Sequence, residues 1–433
     1  MEKSRRRKIR YLLIIILPAL FLTFLSKWAM KVQWILEYEQ HSIVYPTEFK
    51  RWLNEKIFPG FFYDENFIAE NFLIVNVTHD QELTSSDQTT NEAGTPITNR
   101  EKLDSLLTFL YRNEDLFNMI VCDLDFHSAS LKPGADRSLN EIIGKLRTDH
   151  RIIFAAEYRS GEEYPGTVLD EIDTEYCGQV NKESAQGVFF KYRLAMENPH
   201  LKSLPLLMFE KINKIELLRE GPGLIKYRDS TGKTYRMYNS FIPEMLFDID
   251  YFDKFEDRDL DSSKALCDLG TIVNNSTDIA LRSLLFTKNK KPKTIFIGAV
   301  SHDQADMHYT FYGMLDGPIV LLNIYYDLIN GTNQLNYLQI LISFLTFYFI
   351  CYSLFLRPKK HVNKPFTPWG HIKELINERR HFFILVVLTF VLNLFFRQST
   401  NLIILLVLIE VVRGIVVISR NYKLVKVSNT SNR

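Results

Sequence analysis

The sequence predicts an α/β extracytoplasmic domain that is attached to a membrane by four transmembrane α-helices. Two observations predict this fold class. Long apolar runs stand at the start and near the end of the chain, and short apolar runs of strand length alternate with helix-period leucines between them. A large region of mixed charge between long apolar runs is typical of a folded domain held at one face of a membrane.

The four long runs predict transmembrane helices at residues 11–30, 335–356, 382–396 and 402–418. The first run is long enough to cross a bilayer core of about 30 Å as a helix. It has two readings, a cleaved signal peptide or a retained membrane anchor. The length of the run and the lack of a clean small-x-small cleavage site favour the anchor.

The positions of lysine and arginine predict the orientation of these helices, because basic flanks stay in the cytoplasm. The basic segments are residues 1–10, the loop 357–381 and the tail 419–433, whereas the short link 397–401 is expected outside. We therefore expect a multi-pass protein of the inner or plasma membrane with both termini in the cytoplasm. The large domain, residues 31–334, is expected to be extracytoplasmic, which means periplasmic in a Gram-negative cell.

Charge and cysteine content narrow the partners and the covalent chemistry. A net charge of +1 gives no overall attraction to nucleic acid, so no nucleic-acid partner is expected. Cys122 and Cys351 lie in apolar runs and are expected to be buried thiols. Cys177 and Cys267 lie in polar stretches of the exported region, where a disulfide would persist, so a bridge between them is a candidate.

The exported region begins with residues 31–66, which are helical in pattern, rich in aromatic residues, and predict a juxtamembrane stalk. Nearly continuous apolar runs then predict strands that are buried on both faces of a parallel sheet. These strands are Asn71 to Val77, Asn118 to Cys122, Ile152 to Ala156 and Thr294 to Val300.

Crossover helices are predicted between the first three strands, at Arg100 to Tyr111 and Ser138 to Leu146, because their leucines and isoleucines recur at helical spacing. Residues 161–293 predict an inserted region with a helix at Ser203 to Lys214. A hairpin of Leu224 to Arg228 and Thr234 to Tyr238 follows, around the turn-rich sequence Asp229-Ser-Thr-Gly232.

Polar residues follow the predicted strands at their carboxyl ends, where ligands settle in doubly wound sheets. The candidate ligand-binding residues are His79, Asp123, Asp125, Glu157, His302, Asp303, Asp306 and His308. Carboxylate and imidazole groups are suited to a divalent cation, and the alternative is that they cap loops and helices. Whether a metal binds stays open. No P-loop, nucleophile-elbow or HExxH pattern occurs, so neither a catalytic residue nor a cofactor is expected.

An intramembrane polar pair, Glu410 and Arg413, lies on one helix face of the predicted span 402–418. Unpaired charge at that depth would cost several kcal/mol. Two readings stay open, a neutralised pair that aids insertion or a contact that specifies packing against other spans or a partner. Asn393 is a candidate hydrogen-bonding neighbour.

A series of short motifs accompanies these elements in a fixed order. They are Thr95-Pro-Ile-Thr-Asn-Arg100, Val121-Cys-Asp-Leu-Asp-Phe126, Asp136-x-x-Leu139, Ile297-Gly298, Asp306-x-His308-x-Thr310, Gly313, Gly317, Asn323 and Leu328-Ile-Asn-Gly331. With these motifs, the order of the elements over roughly residues 35–332 resembles the CHASE2 extracytoplasmic sensor domain. The resemblance implies an input domain followed by three transmembrane helices. The cyclase, kinase or phosphodiesterase module that usually follows in the family is not recognised in this sequence.

The first functional hypothesis is therefore a non-enzymatic membrane sensor or regulatory subunit for signal transduction, which passes its signal to a separate partner protein. The cytoplasmic loop 357–381 is expected to dock that partner or to lie on membrane lipid. A homodimer is expected by analogy, since signalling through membrane spans usually needs a neighbour. The alternatives are a structural adaptor of a cell-envelope complex and a metal-dependent exported hydrolase that uses Asp123, Asp125, His302 and Asp303.

Overall fold

The computed structural model describes residues 13, 15–26, 40–84, 96–156, 167–180, 182–185, 188–195, 202–219, 223–247, 266–274, 292–300, 306–356, 380–396, 406–407 and 409–411. The chain divides into two compact units. We call Leu53–Leu335 the α/β unit, and we call Met1–Trp52 together with Asn336–Arg433 the helical unit.

The described helices and strands are numbered in chain order. The helices are α1 Ile15–Ser26, α2 Gln40–Lys56, α3 Phe67–Asn71, α4 Arg100–Arg112, α5 Pro133–Thr148, α6 Leu204–Ile212, α7 Leu269–Asn274, α8 Gly317–Ile329, α9 Tyr337–Leu356 and α10 Arg380–Phe396. The strands are β1 Phe72–Asn76, β2 Gln81–Leu83, β3 Pro96–Thr98, β4 Phe117–Asp123, β5 Ile152–Ala156, β6 Cys177–Gln179, β7 Lys182–Ala185, β8 Val188–Arg193, β9 Glu216–Arg219, β10 Leu224–Arg228, β11 Thr234–Tyr238, β12 Ser240–Phe241, β13 Leu266–Asp268, β14 Lys293–Gly298, β15 Met307–Thr310 and β16 Gly313–Asp316.

A six-stranded parallel sheet forms the centre of the α/β unit, in the order β13-β1-β14-β4-β5-β6. The four apolar runs that the sequence marks as strands are β1, β4, β5 and β14, and the predicted parallel α/β core is confirmed. The last of them in the chain, β14, lies between β1 and β4. The carboxyl ends of these three strands are therefore neighbours.

Both faces of the sheet are covered, which explains why its strands read as continuous apolar runs. Leu73 and Val75 of β1 join one core cluster with α4, α5 and α7, whereas Phe72 and Ile74 join the opposite cluster with α6 and α8. The predicted crossover helices are α4 and α5, and each buries a leucine-rich stripe.

The prediction that residues 161–293 are an inserted region is wrong in one respect, because part of this region joins the central sheet. From this region β6 and β13 add to opposite edges of the central sheet. Both strands are only three residues long and carry no apolar run, so their pairing is imposed by the strands beside them. The predicted hairpin is β10 with β11, and β9 extends it to three strands.

A second, five-stranded sheet of β7, β8, β12, β15 and β16 belongs to the same unit. Its β15–β16 hairpin leads directly into α8, which is buried along nearly its whole length. The hairpin therefore fixes the position at which α8 begins.

The helical unit contains α1, α9, α10 and the described residues 406–411 outside 408. These segments share one apolar core cluster that includes Leu22, Phe347, Leu388 and Ile409. Within the described part of the chain, one helix, Tyr337–Leu354 of α9, is long and apolar enough to cross a membrane, and Ile15–Ser26, Gly317–Ile329 and Phe382–Phe396 are shorter apolar helices. The four predicted spans remain a prediction.

Candidate functional site

The carboxyl edge of the central sheet is built around Asn76, the last residue of β1. Its amide nitrogen donates a hydrogen bond to Asp268 Oδ1 at 2.9 Å, and its amide oxygen accepts from the Thr78 hydroxyl at 2.8 Å and from the Val300 backbone N–H at 3.0 Å. One buried side chain thus holds the ends of β1, β13 and β14 together.

Asp80, which follows β1, is the second anchor of this edge. Its carboxylate accepts from Lys102 Nζ of α4 at 2.5 Å and from the backbone N–H of Gly270 at the start of α7 at 2.6 Å. A Cβ at Gly270 would lie only 2.7 Å from Asp80 Oδ1, so glycine allows this close approach. Asp80 therefore ties two helices to the edge.

The Arg100 guanidinium is fully buried where α4 begins. It lies over the Phe126 ring, with 4.6 Å between Cζ and the ring centroid, and its Nε is 3.5 Å from Asp136 Oδ1 of α5. Its NH2 group donates to the Ser128 carbonyl at 3.2 Å. Burial lowers the pKa of Arg100, and the Asp136 carboxylate opposes that shift. These contacts fix the loop after β4, so the motif around Arg100 has a structural role here.

The amino end of α8 lies against the same edge. Gly298, the last residue of β14, is in register with Asp123 of β4, and a Cβ at Gly298 would lie 2.8 Å from the Pro318 ring of α8 and 3.5 Å from Asp123 Cβ. A Cβ at Gly317 would lie 2.0 Å from Asp306 Oδ2. Glycine at position 298 therefore lets Pro318 of α8 pack against the end of β14, and glycine at position 317 lets α8 begin against the Asp306 carboxylate.

Of the candidate residues, the structure brings Asp123, Asp306 and His308 to this place. Asp306 Oδ1 lies 2.9 Å from His308 Nε2, and both side chains are half-buried, as is Asp123. A carboxylate at the amino end of a helix is favoured by the helix dipole. These three residues and the first turn of α8 form what we call the edge site.

Two of the other candidates, His79 and Asp125, are described and are not part of the edge site. His79 is exposed in the turn after β1, and Asp125 is exposed and contacts the Nδ1 and backbone N–H of His127. Glu157, His302 and Asp303 lie outside the described residues. Among the described residues, no three His, Cys, Asp or Glu side chains are grouped so that they could hold a metal ion.

The candidate disulfide is not formed, since Cys177 and Cys267 are both free thiols. Cys177 lies in β6 and Cys267 in β13, which are the two opposite edges of the six-stranded sheet. With about 4.8 Å between neighbouring strands, they are separated by far more than the roughly 6 Å that a disulfide allows between Cα atoms. Polar surroundings in the sequence gave no information about this separation.

The intramembrane candidates are described in part. Glu410 belongs to the helical unit, while Arg413 lies outside the described residues. Asn393 of α10 and Gln339 of α9 are fully buried in the same unit, and among the described residues neither side-chain amide has a hydrogen-bonding partner. The hydrogen bond proposed for Asn393 is therefore not formed within the described part of the chain.

Comparison of the chain with protein-family models, with curated proteins and with solved structures finds no match. Its function has to be inferred from its own contacts.

Sequence reasoning missed four residues of the edge that the structure makes important, Asn76, Lys102, Asp268 and Gly270. Asn76 and Asp268 each end a strand. Asn76 could have been recognised in the sequence, because it is a polar residue at the end of the apolar run of β1. Lys102 and Gly270 carry no such signal, because each acts through Asp80, which is distant in sequence.

Proposed function

We propose that this protein is a membrane-anchored extracytoplasmic sensor or regulatory subunit without enzymatic activity, which passes its state to a separate partner protein. The observation that carries the proposal is the course of α8. This helix begins at the edge site and is followed, after a short hydrogen-bonded segment, by α9, the helix that is long and apolar enough to cross a membrane. With 13 residues, α8 is about 20 Å long.

The middle of α8 is held by buried polar side chains that fix its rotation as well as its depth. The Asn323 amide accepts from the backbone N–H groups of Leu246 and Phe247 at 2.7 and 2.9 Å and donates to the Phe247 carbonyl at 2.9 Å. Asp327 accepts from the Glu244 backbone N–H at 2.7 Å. Because these hydrogen bonds attach α8 to residues 244–247, a displacement at the amino end of α8 is expected to move the helix and this segment together.

Residues 330–335 join α8 to α9, and we call them the connector. The Leu335 N–H donates to the Arg236 carbonyl at 2.8 Å, and the Gln334 side-chain amide donates to the Tyr227 hydroxyl at 2.7 Å. Gly331 adopts a positive φ of 67°, which permits the sharp exit from the helix. The connector is thus held by hydrogen bonds to the rest of the α/β unit as far as Leu335, the last residue of that unit.

In this proposal a ligand or protein that binds at the edge site changes the position of α8, and the change reaches the membrane through the connector. The four apolar segments predicted from the sequence, at residues 11–30, 335–356, 382–396 and 402–418, then form the membrane portion, with the α/β unit outside. The shared apolar core of α1, α9, α10 and residues 406–411 supports this arrangement. The resemblance to the CHASE2 sensor domain leads to the same function.

One observation favours the adaptor reading as a second candidate. Asn76, Asp80 and Arg100 are buried and engaged in contacts that hold strands, helices and loops of the α/β unit. A domain in which the polar residues of the sheet edge stabilise the domain's own fold is suited to permanent assembly with another envelope protein. The edge site is less enclosed, with Asp123, Asp306 and His308 all half-buried, so the sensor reading comes first.

The test is co-purification of the tagged full-length chain from native membranes, with identification of the proteins that accompany it. A matched pair of variants separates the two candidates. Gly298→Ala places a methyl group 2.8 Å from Pro318 and displaces the start of α8, whereas a Cβ at Gly134, in α5, meets no atom within 4 Å.

The sensor proposal expects a signalling enzyme, such as a cyclase or kinase, to accompany the native chain and the Gly134→Ala control. It further expects the activity of that enzyme to change with Gly298→Ala. Recovery of envelope-assembly proteins alone, in equal amounts with all three chains, would replace the sensor by the adaptor. Recovery of no protein from chemically crosslinked membranes would overturn both.

A further inference from the structure

Helix α2 exposes three large aromatic side chains, next to the exposed charges of Glu48, Glu55 and Lys56, and buries polar side chains. The side chains of Tyr45, Phe49 and Trp52 are 57%, 39% and 49% exposed, while Thr47 and Lys50 are 0% exposed. The three aromatic residues recur at the spacing i, i+4, i+7 and therefore form one stripe along the helix. We call it the aromatic stripe.

Water does not favour such an arrangement, because a helix in water buries its apolar face and exposes its polar one. Phe49 and Trp52 stack on each other with 5.7 Å between ring centroids, so these two rings form one aromatic surface. Tyrosine and tryptophan are enriched where a protein meets the boundary between lipid headgroups and acyl chains. The chemistry of the stripe therefore fits lipid rather than water.

The stripe is continuous with the apolar surface of the helical unit. The Phe49 ring packs edge-on against Phe390 of α10, with 5.5 Å between centroids. On α10 itself, Val387 and Phe395 are 60% and 65% exposed. Phe390 lies six residues before the end of α10 at Phe396, which corresponds to about 9 Å along the helix axis.

We propose that the aromatic stripe of α2 lies in the outer interfacial region of the bilayer and that its partner is membrane lipid. This inference rests on the proposed membrane location, in which the carboxyl end of α10 faces the outside. The depth of Phe390 then places Phe49 near the boundary of acyl chains and headgroups. Tyr45, Phe49 and Trp52 thereby hold α2 parallel to the membrane at the point where the chain leaves it for the α/β unit.

The experiment uses the fluorescence of Trp52 in the full-length protein, reconstituted in phosphatidylcholine vesicles with brominated acyl chains. The other tryptophans are replaced as Trp28→Phe, Trp34→Phe and Trp369→Phe, which leaves the stripe unchanged. Bromine quenches only tryptophans that contact lipid, and aqueous iodide quenches only those that contact water. We expect blue-shifted Trp52 emission that is lost with bromine and retained with iodide.

Two reference chains in the same Trp-poor background, each also carrying Trp52→Phe, make the outcomes distinguishable. Phe349→Trp reports on α9, where Phe349 is 62% exposed, and Tyr111→Trp reports on the exposed surface of α4. Quenching of the α9 reference by bromine without quenching of Trp52 would overturn the stripe proposal and leave the membrane location intact. If bromine quenched neither Trp52 nor the α9 reference, both the stripe proposal and the proposed membrane location would be overturned.

Protection of Trp52 from bromine and iodide alike would mean that a protein surface, either a partner or a second copy of the chain, covers the stripe, and this result would also overturn the lipid assignment. If the triple replacement does not fold, the difference in emission between the native chain and Trp52→Phe isolates the same signal. That difference is expected to be lost with bromine, and its persistence would contradict the proposal.

Discussion

The buried amide of Asn323 gives the sharpest prediction about stability, because a single side chain joins α8 to residues 246 and 247. It is 0% exposed and makes three hydrogen bonds to that segment, with a fourth to the Ile319 carbonyl at 2.9 Å. Asn323→Ala would leave two backbone N–H groups and one carbonyl without these partners. Since each orphaned buried group costs about 1–3 kcal/mol and the segment relaxes in part, we expect a total loss of about 4 kcal/mol.

The free energy of unfolding of the full-length chain in detergent, measured by denaturant titration, checks this value. Asn71→Ala is the matched control, because Asn71 is exposed and its amide donates one hydrogen bond, to the Phe67 carbonyl at 2.8 Å. The control is expected to lose less than about 1 kcal/mol. If Asn323→Ala lost no more than the control, α8 would not be fixed by its buried polar contacts, and its role as a rigid element would be refuted.

Three further predictions concern the helical unit, the thiols and the sheet edge. Gln339→Leu and Asn393→Leu are each expected to stabilise the helical unit by about 1–2 kcal/mol in thermal unfolding, because a buried amide without a hydrogen-bonding partner among the described residues costs that much; destabilisation would show that the amides hold a partner. Cys177 and Cys267 should both react as free thiols in denaturant without reductant. If two thiols fewer than the cysteine content were counted, a disulfide would be present, which would contradict the separation of β6 from β13. Because burial raises the pKa of Cys177 to about 12, its alkylation in the native state should be slow at pH 8 and should accelerate as the pH rises toward that value; rapid alkylation at pH 8 would argue against burial. Asp80→Ala should cost about 3 kcal/mol in denaturant titration, since α4 and α7 lose a shared acceptor, and an unchanged midpoint would contradict this.

The sequence predicted those parts of the fold in which local pattern and burial agree. The apolar runs of β1, β4, β5 and β14, and the helical leucine spacing of α4 and α5, reflect elements buried against both faces of one sheet. The hairpin of β10 and β11 was predicted from its turn chemistry, and Gly232 in that turn has a φ of 85°. In contrast, β6 and β13 are short and owe their place to neighbours that are distant in sequence.

The sequence predicted where the candidate site lies, at the carboxyl edge of the sheet, but not which contacts form it. Parallel strands bring their carboxyl ends to one edge, so the sequence indicated where polar residues would gather. It gave no sign that α8 would begin against Gly298 of β14 and Asp306, because these contacts depend on the close approach that Gly298 and Gly317 permit. It also gave no sign that Cys177 would lie at the far edge from its expected partner.

Hydrogen exchange of the backbone amides of residues 331–335 tests the central claim most directly. In the native chain, the N–H groups of Thr332 and Leu335 donate to the carbonyls of Asp327 and Arg236 at 3.0 and 2.8 Å, and they should exchange slowly. The measurement compares the native chain, Gly298→Ala and the Gly134→Ala control in lipid nanodiscs. We predict faster exchange across residues 331–335 with Gly298→Ala alone, because a displacement at the start of α8 reaches the connector. A change confined to the ends of β4 and β14 and the first turn of α8 would contradict the proposal that α8 couples the edge site to α9.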